Sequence, residues 1–60
     1  MNLYEYSGKR IRIITTNGQI FEGIGCDYTP AQDNVPEIES ICIGHIEFGE
    51  NEIKSIEVIE

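Results

Sequence analysis

A chain of 60 residues with a formal net charge of −7 buries only about 60% of the surface its unfolded form exposes, so it is marginal alone and has little room for a closed catalytic pocket. The excess of acids keeps such a chain soluble and, summed over the molecule, repels nucleic acid. No run approaches the ~20 consecutive apolar residues of a membrane span, which excludes a spanning helix.

Twelve residues are isoleucine and only Leu3 is leucine. Isoleucine is stiff at its first side-chain torsion and packs well on a pleated surface, so its alternation here reads as strands. In chain order, residues 2–7 predict a single helical turn that packs Leu3 and Tyr6 inward. The stretch KRIRIITT, residues 9–16, predicts a first strand with Ile11, Ile13 and Thr15 on one face and Arg10 and Arg12 on the other. Asn17-Gly18 predicts a two-residue hairpin turn that sets Ile14 against Phe21 and Ile11 against Ile24. This register conflicts with the apolar pattern, because Ile14 and Phe21 fall outside; either a bulge shifts it or the pair forms an outward patch.

Gly23 and Gly25 within the second strand mark a corner where a sheet curls. Residues 29–36, TPAQDNVP, form a loop between two prolines. A third strand, residues 37–43, then turns at Gly44-His45 into a fourth, residues 46–48. A type II′ turn there places Ile43 opposite Ile46 and Ile41 opposite Phe48, all on one face. After the short connection GEN, residues 52–60 close the chain as a fifth strand. The expected core is Ile11, Ile13, Ile24, Ile41, Ile43, Ile46, Phe48, Ile53, Ile56 and Val58.

The glycine before an alternating I-R-I, the N-G turn, and F-E-G before a bent strand ending C-D-Y resemble the first motif of the Sm and Sm-like proteins. The segment I-E-F-G-E-N-E-I-K-S-I-E-V-I resembles their second motif, and the likeness spans residues 3–59. The pattern D-Y…A-x-D-N-x-P-E…E-S-I with E-I-K-S-I is most similar to a short bacterial branch of that family. The resemblance implies an all-β, five-stranded, strongly bent antiparallel SH3-like barrel with a short N-terminal helical turn. It also implies a homo-oligomeric ring in which the fourth strand of one subunit pairs with the fifth of the next. RNA would lie near the pore, against the loop after the second strand and the loop between the last two. At matching positions these are Asp27, Tyr28 and Asn34, then Gly49 and Asn51. Tyr28 would stack on a base and Asn34 would read a base edge. One departure bears on this: Phe48 stands before Gly49 where the family usually has an arginine, and Glu47, Glu50 and Glu52 crowd the same loop.

Charge is unevenly placed. Residues 1–16 carry Lys9, Arg10 and Arg12 against Glu5, while residues 17–60 carry Lys54 against ten acids. Lys9, Arg10 and Arg12 therefore form a candidate phosphate-contacting stripe, with Arg10 and Arg12 as its main contacts, or neutralise acids of a neighbouring subunit. Asp27, Asp33, Glu37 and Glu39 lack calcium-loop spacing, and Cys26, Cys42 and His45 lack the spacing of a zinc site. No metal or cofactor is expected. His45 has no paired nucleophile and no phosphate loop precedes a helix, so no enzyme is expected either. MNLYEYSGKR has no apolar stretch of signal-peptide length, so the expected location is cytoplasmic, with Cys26 and Cys42 reduced and a disulfide left open. Two readings of function compete: an Sm-like ring with an RNA-associated role, and an acidic module that meets a basic protein partner without nucleic acid.

Overall fold

A computed structural model describes residues 2–33 and 38–59. It is all-β: five antiparallel strands form one sheet in the order β4-β3-β2-β1-β5, with β1 Arg10–Thr15, β2 Ile20–Thr29, β3 Ser40–Ile43, β4 Ile46–Gly49 and β5 Ile53–Val58. Short 3₁₀ turns cover Leu3–Tyr6, Ala31–Asp33 and Glu50–Glu52. The sheet is open: among the described residues no pairing joins β4 to β5. Strand β2 serves two partners in succession. Residues 20–24 pair with β1, and Gly25, Cys26 and Thr29 pair with β3.

The sheet nevertheless coils around one core. Strands two apart in a flat sheet lie roughly 10 Å from each other, whereas the rings of Phe21 at the start of β2 and Phe48 on β4 sit 5.0 Å apart at 58°. Leu3, Ile11, Ile13, Ile41, Phe48 and Ile53 are buried there, with Tyr6, Phe21, Tyr28, Ile43 and Ile56 packed against them. The N-terminal turn delivers Leu3 as expected.

The first hairpin departs from the two-residue turn. Gly18 has positive φ (88°) and Asn17 does not. The Gly18 N–H donates to the Thr15 carbonyl at 2.9 Å, and the Thr15 N–H to the Gln19 carbonyl at 2.9 Å. This is a three-residue loop ending in a left-handed glycine, the form that accommodates a bulge. The Thr15 hydroxyl secures it by donating to Asn17 Oδ1 and accepting from the Gln19 N–H. Pairing accordingly slips by one residue: Ile13 faces Phe21 and Arg10 faces Ile24. A slip of one flips every side chain on the strand, so Phe21 turns inward and Ile24 turns out, 53% exposed.

The slip also places Gly23 and Gly25 inward, where there is no room for a side chain. A Cβ on Gly25 would lie 2.7 Å from the Tyr6 carbonyl oxygen, and one on Gly23 2.6 Å from Ile43 Cγ2. Close approach is therefore the role of both glycines.

The second hairpin follows the expected register, Ile43 opposite Ile46 and Ile41 opposite Phe48, with positive φ at Gly44 (62°) and not at His45. Ile46 and Val58 share the core-facing side but stand on the two outermost strands, where the described residues leave them 46% and 43% exposed. Ile43 and Ile56 are half-buried. Three members of the expected core, Ile24, Ile46 and Val58, are thus surface residues.

Candidate nucleic-acid interface

The strand ends that lead into the two loops singled out by sequence lie side by side. Ser40 pairs with Thr29 on one side and with Gly49 on the other, so the end of β2 and the end of β4 flank the start of β3. Glu39, just before β3, binds three segments at once. Its Oε1 accepts the Tyr28 hydroxyl at 2.8 Å and the Leu3 N–H at 3.2 Å, and its carbonyl accepts the Glu50 N–H at 2.8 Å. A negatively charged acceptor makes such bonds stronger than their neutral counterparts.

Tyr28 is half-buried and packs against the core, its ring meeting Tyr4 edge-on at 5.6 Å and 71°. Its phenol is held above the ordinary tyrosine range, first by the hydrogen bond to Glu39, then by desolvation and by the charges of Glu39 and Glu50. The surroundings of the proposed stacking residue are therefore anionic. Asp27 is exposed and takes a left-handed conformation (φ 49°) inside a bulge, where the pairing of β2 with β3 shifts between Cys26 and Thr29. Aspartate tolerates that region better than most residues.

Gly49 is buried, and its N–H donates to Glu52 Oε1 at 3.0 Å, closing the 3₁₀ turn Glu50–Glu52. A Cβ there would meet Ile38 Cδ1 at 2.9 Å. The glycine shapes the connection and has no surface to offer a base. Asn51 is exposed on that turn. Asn34 lies outside the described residues.

The two arginines of β1 are elsewhere. Arg12 lies on the face opposite the core, between Glu22 of β2 at 2.8 Å and Glu57 of β5 at 2.9 Å, its direct neighbours in both ladders. Both carboxylates push its pKa up further. Arg10 shares that outer face, opposite Ile24. Tyr28 packs toward the core side, so the sheet separates the basic stripe from the aromatic. Sequence reasoning missed Tyr4 as a partner of Tyr28 and saw Glu39 only as a candidate metal ligand. Both positions are set by the docking of the N-terminal turn, which no local pattern encodes.

Among the described residues no cluster of three or more His, Cys, Asp or Glu side chains is arranged to hold a metal, and no helix is long and apolar enough to cross a membrane. Compared with known proteins, the chain matches no family model, no curated protein and no solved structure.

Proposed function

We propose that the chain is a non-enzymatic Sm-like small barrel that assembles into a homo-oligomeric ring and presents an acidic surface to a basic protein partner. The observation that carries this reading is the anionic loop cluster. Tyr28 is tied to Glu39 beside Glu50, so the surface that would receive phosphates repels them. Arg12, already neutralised by two glutamates, offers little compensation. A partner carrying lysines or arginines would meet complementary charge at the same place.

Assembly is supported by the edges. β4 and β5 are the outermost strands at opposite ends of the sheet order, and each carries an exposed apolar residue, Ile46 and Val58. Bare edges of this kind favour pairing with another chain. Joining the β4 edge of one copy to the β5 edge of the next is a head-to-tail contact, which yields a ring if the rotation closes. The same reading takes the coiled open sheet as an SH3-like barrel completed by its neighbours.

RNA binding is the second reading, favoured by one feature: Tyr4, 68% exposed, stands beside Tyr28 and widens the aromatic surface available for stacking. One experiment separates the two. Light scattering gives the mass, and fluorescence anisotropy at low salt compares labelled oligo-U and oligo-A with a labelled oligolysine peptide. A multimer that binds only the peptide is the expected result. Oligonucleotide binding that falls on Tyr28→Ala would establish RNA instead, and a monomer at micromolar concentration would refute the ring.

A further inference from the structure

Cys26 and Cys42 are direct partners across the β2–β3 ladder. Side chains of directly opposed residues emerge on the same face, with Cα atoms about 4.5 or 5.5 Å apart according to the type of pair. Both values fall within the ~4.4–6.8 Å that a disulfide spans. The two residues occupy the face opposite the core, because Ile41 and Ile43, on either side of Cys42, pack inward. Both thiols are free and half-buried, and Cys26 Sγ contacts the Cys42 carbonyl at 3.5 Å. Neither is spent in the core, and neither is required by the loop cluster around Tyr28.

We propose that Cys26 and Cys42 form a thiol–disulfide site, which exchanges with a low-molecular-weight disulfide and closes as a cross-strand bridge. Its position gives the bridge a structural consequence. Cys26 is the last regularly paired residue before the bulge that carries Asp27 and Tyr28, so the bond would close residues 27–41 into a loop and pin the bulge to β3.

The chemistry has an order. Burial, and then the charges of Cys26, Asp27 and Glu47, disfavour the Cys42 thiolate, so the first attack falls to Cys26. The Cys26 thiolate attacks one sulfur of the external disulfide, its S–S bond breaks, and one small thiolate leaves. Cys42 then gives its proton to solvent and attacks Cys26 Sγ, forming the cross-strand bond and expelling the second small thiolate. The protein loses two hydrogens and the external disulfide is reduced to two thiols.

The test is to incubate the full chain with oxidised glutathione and read intact mass, free thiols and a non-reducing gel. The expected product has lost both thiols and two hydrogens, carries no glutathione and shows no covalent link between chains. Cys42→Ser should instead stop at a single, lasting glutathione adduct on Cys26. Because closing a loop of this length restricts the unfolded chain, the oxidised form should melt roughly ten degrees or more higher. Two stable adducts on the wild type, covalent dimers as the main product, or two unreacted thiols would each overturn the proposal; none depends on a variant that folds.

Discussion

Tyr28 Oη donates to Glu39 Oε1 at 2.8 Å, and through that carboxylate the end of β2 is joined to the N-terminal turn, whose Leu3 N–H donates to the same oxygen. The bond raises the phenol's pKa, with Glu39 as the largest cause. A raised value means that the folded state favours the protonated phenol. Its stabilising effect is therefore complete below the ordinary tyrosine pKa of about 10 and fades as pH climbs through the higher folded value. Glu39→Gln should bring the Tyr28 midpoint down toward the ordinary range. The difference between wild-type and Tyr28→Phe phenolate titrations isolates the group, and an unmoved midpoint in Glu39→Gln would show that the contact does not hold in solution.

Truncations on the two faces of the first hairpin report its register. Ile13 is fully buried, so Ile13→Ala should cost about 2–5 kcal/mol, comparable with the total stability of so small a domain. Ile24→Ala, at an outward position, should stay within about 0.5 kcal/mol. Chemical denaturation gives both values. A loss of several kcal/mol at Ile24 would instead favour the two-residue turn at Asn17-Gly18 and the opposite facing of β2.

The strand plan was legible because it rests on local signals: alternation in β1, glycine at the first central position of the second hairpin, and prolines bounding the loop after β2. The first hairpin was only half legible. Asn17-Gly18 correctly marked the turn, and the outward Ile14–Phe21 pair exposed the conflict, but the bulge that resolves it rests on the Thr15 and Gly18 hydrogen bonds, and its outcome shows in the contact of Phe21 with Phe48 across the sheet. Burial of Ile46 and Val58 was misjudged for a related reason, since alternation tells which face a residue is on and not whether its strand lies at an edge. Of the candidate site, the nearness of the ends of β2 and β4, which flank Ser40, was implied only by the family resemblance. The capture of Tyr28 by Glu39 and of Arg12 by Glu22 and Glu57 was not legible, because cross-strand partners follow from register rather than from sequence spacing.

The Arg12 pairs should be sensitive to salt. Arg12 and both glutamates are substantially exposed, so their attraction is screened as ionic strength rises. Arg12→Gln should be less stable than wild type at low salt, and the gap should narrow in high salt. Glu22→Gln with Glu57→Gln releases the guanidinium. That double variant should bind single-stranded oligonucleotides more readily than wild type in low-salt anisotropy, and equal binding would mean that the outer face is not a phosphate surface even when its cation is freed.

Gly25 offers the sharpest test of how the N-terminal turn docks. Its N–H donates to the Lys9 carbonyl at 3.0 Å, and its carbonyl accepts the Gly8 N–H at 2.8 Å, so the segment after the turn runs directly along β2 at this point. A Cβ would come within 2.7 Å of the Tyr6 carbonyl, a backbone atom, and within about 3 Å of Ile41 Cδ1 and Ile11 Cδ1. Side chains yield by changing rotamer, but here the nearest atom is main chain, and moving it displaces Leu3 from the core. Gly25→Ala should therefore cost about 1–3 kcal/mol. Gly23→Ala should cost less, because its nearest obstacle is a side-chain methyl, Ile43 Cγ2, on a half-buried residue rather than main chain. Denaturation of the two variants side by side measures the difference, and hydrogen exchange at Gly8 and Gly25 should accelerate in Gly25→Ala. If Gly25→Ala were neutral while Gly23→Ala was costly, the turn would not be seated against β2 as described.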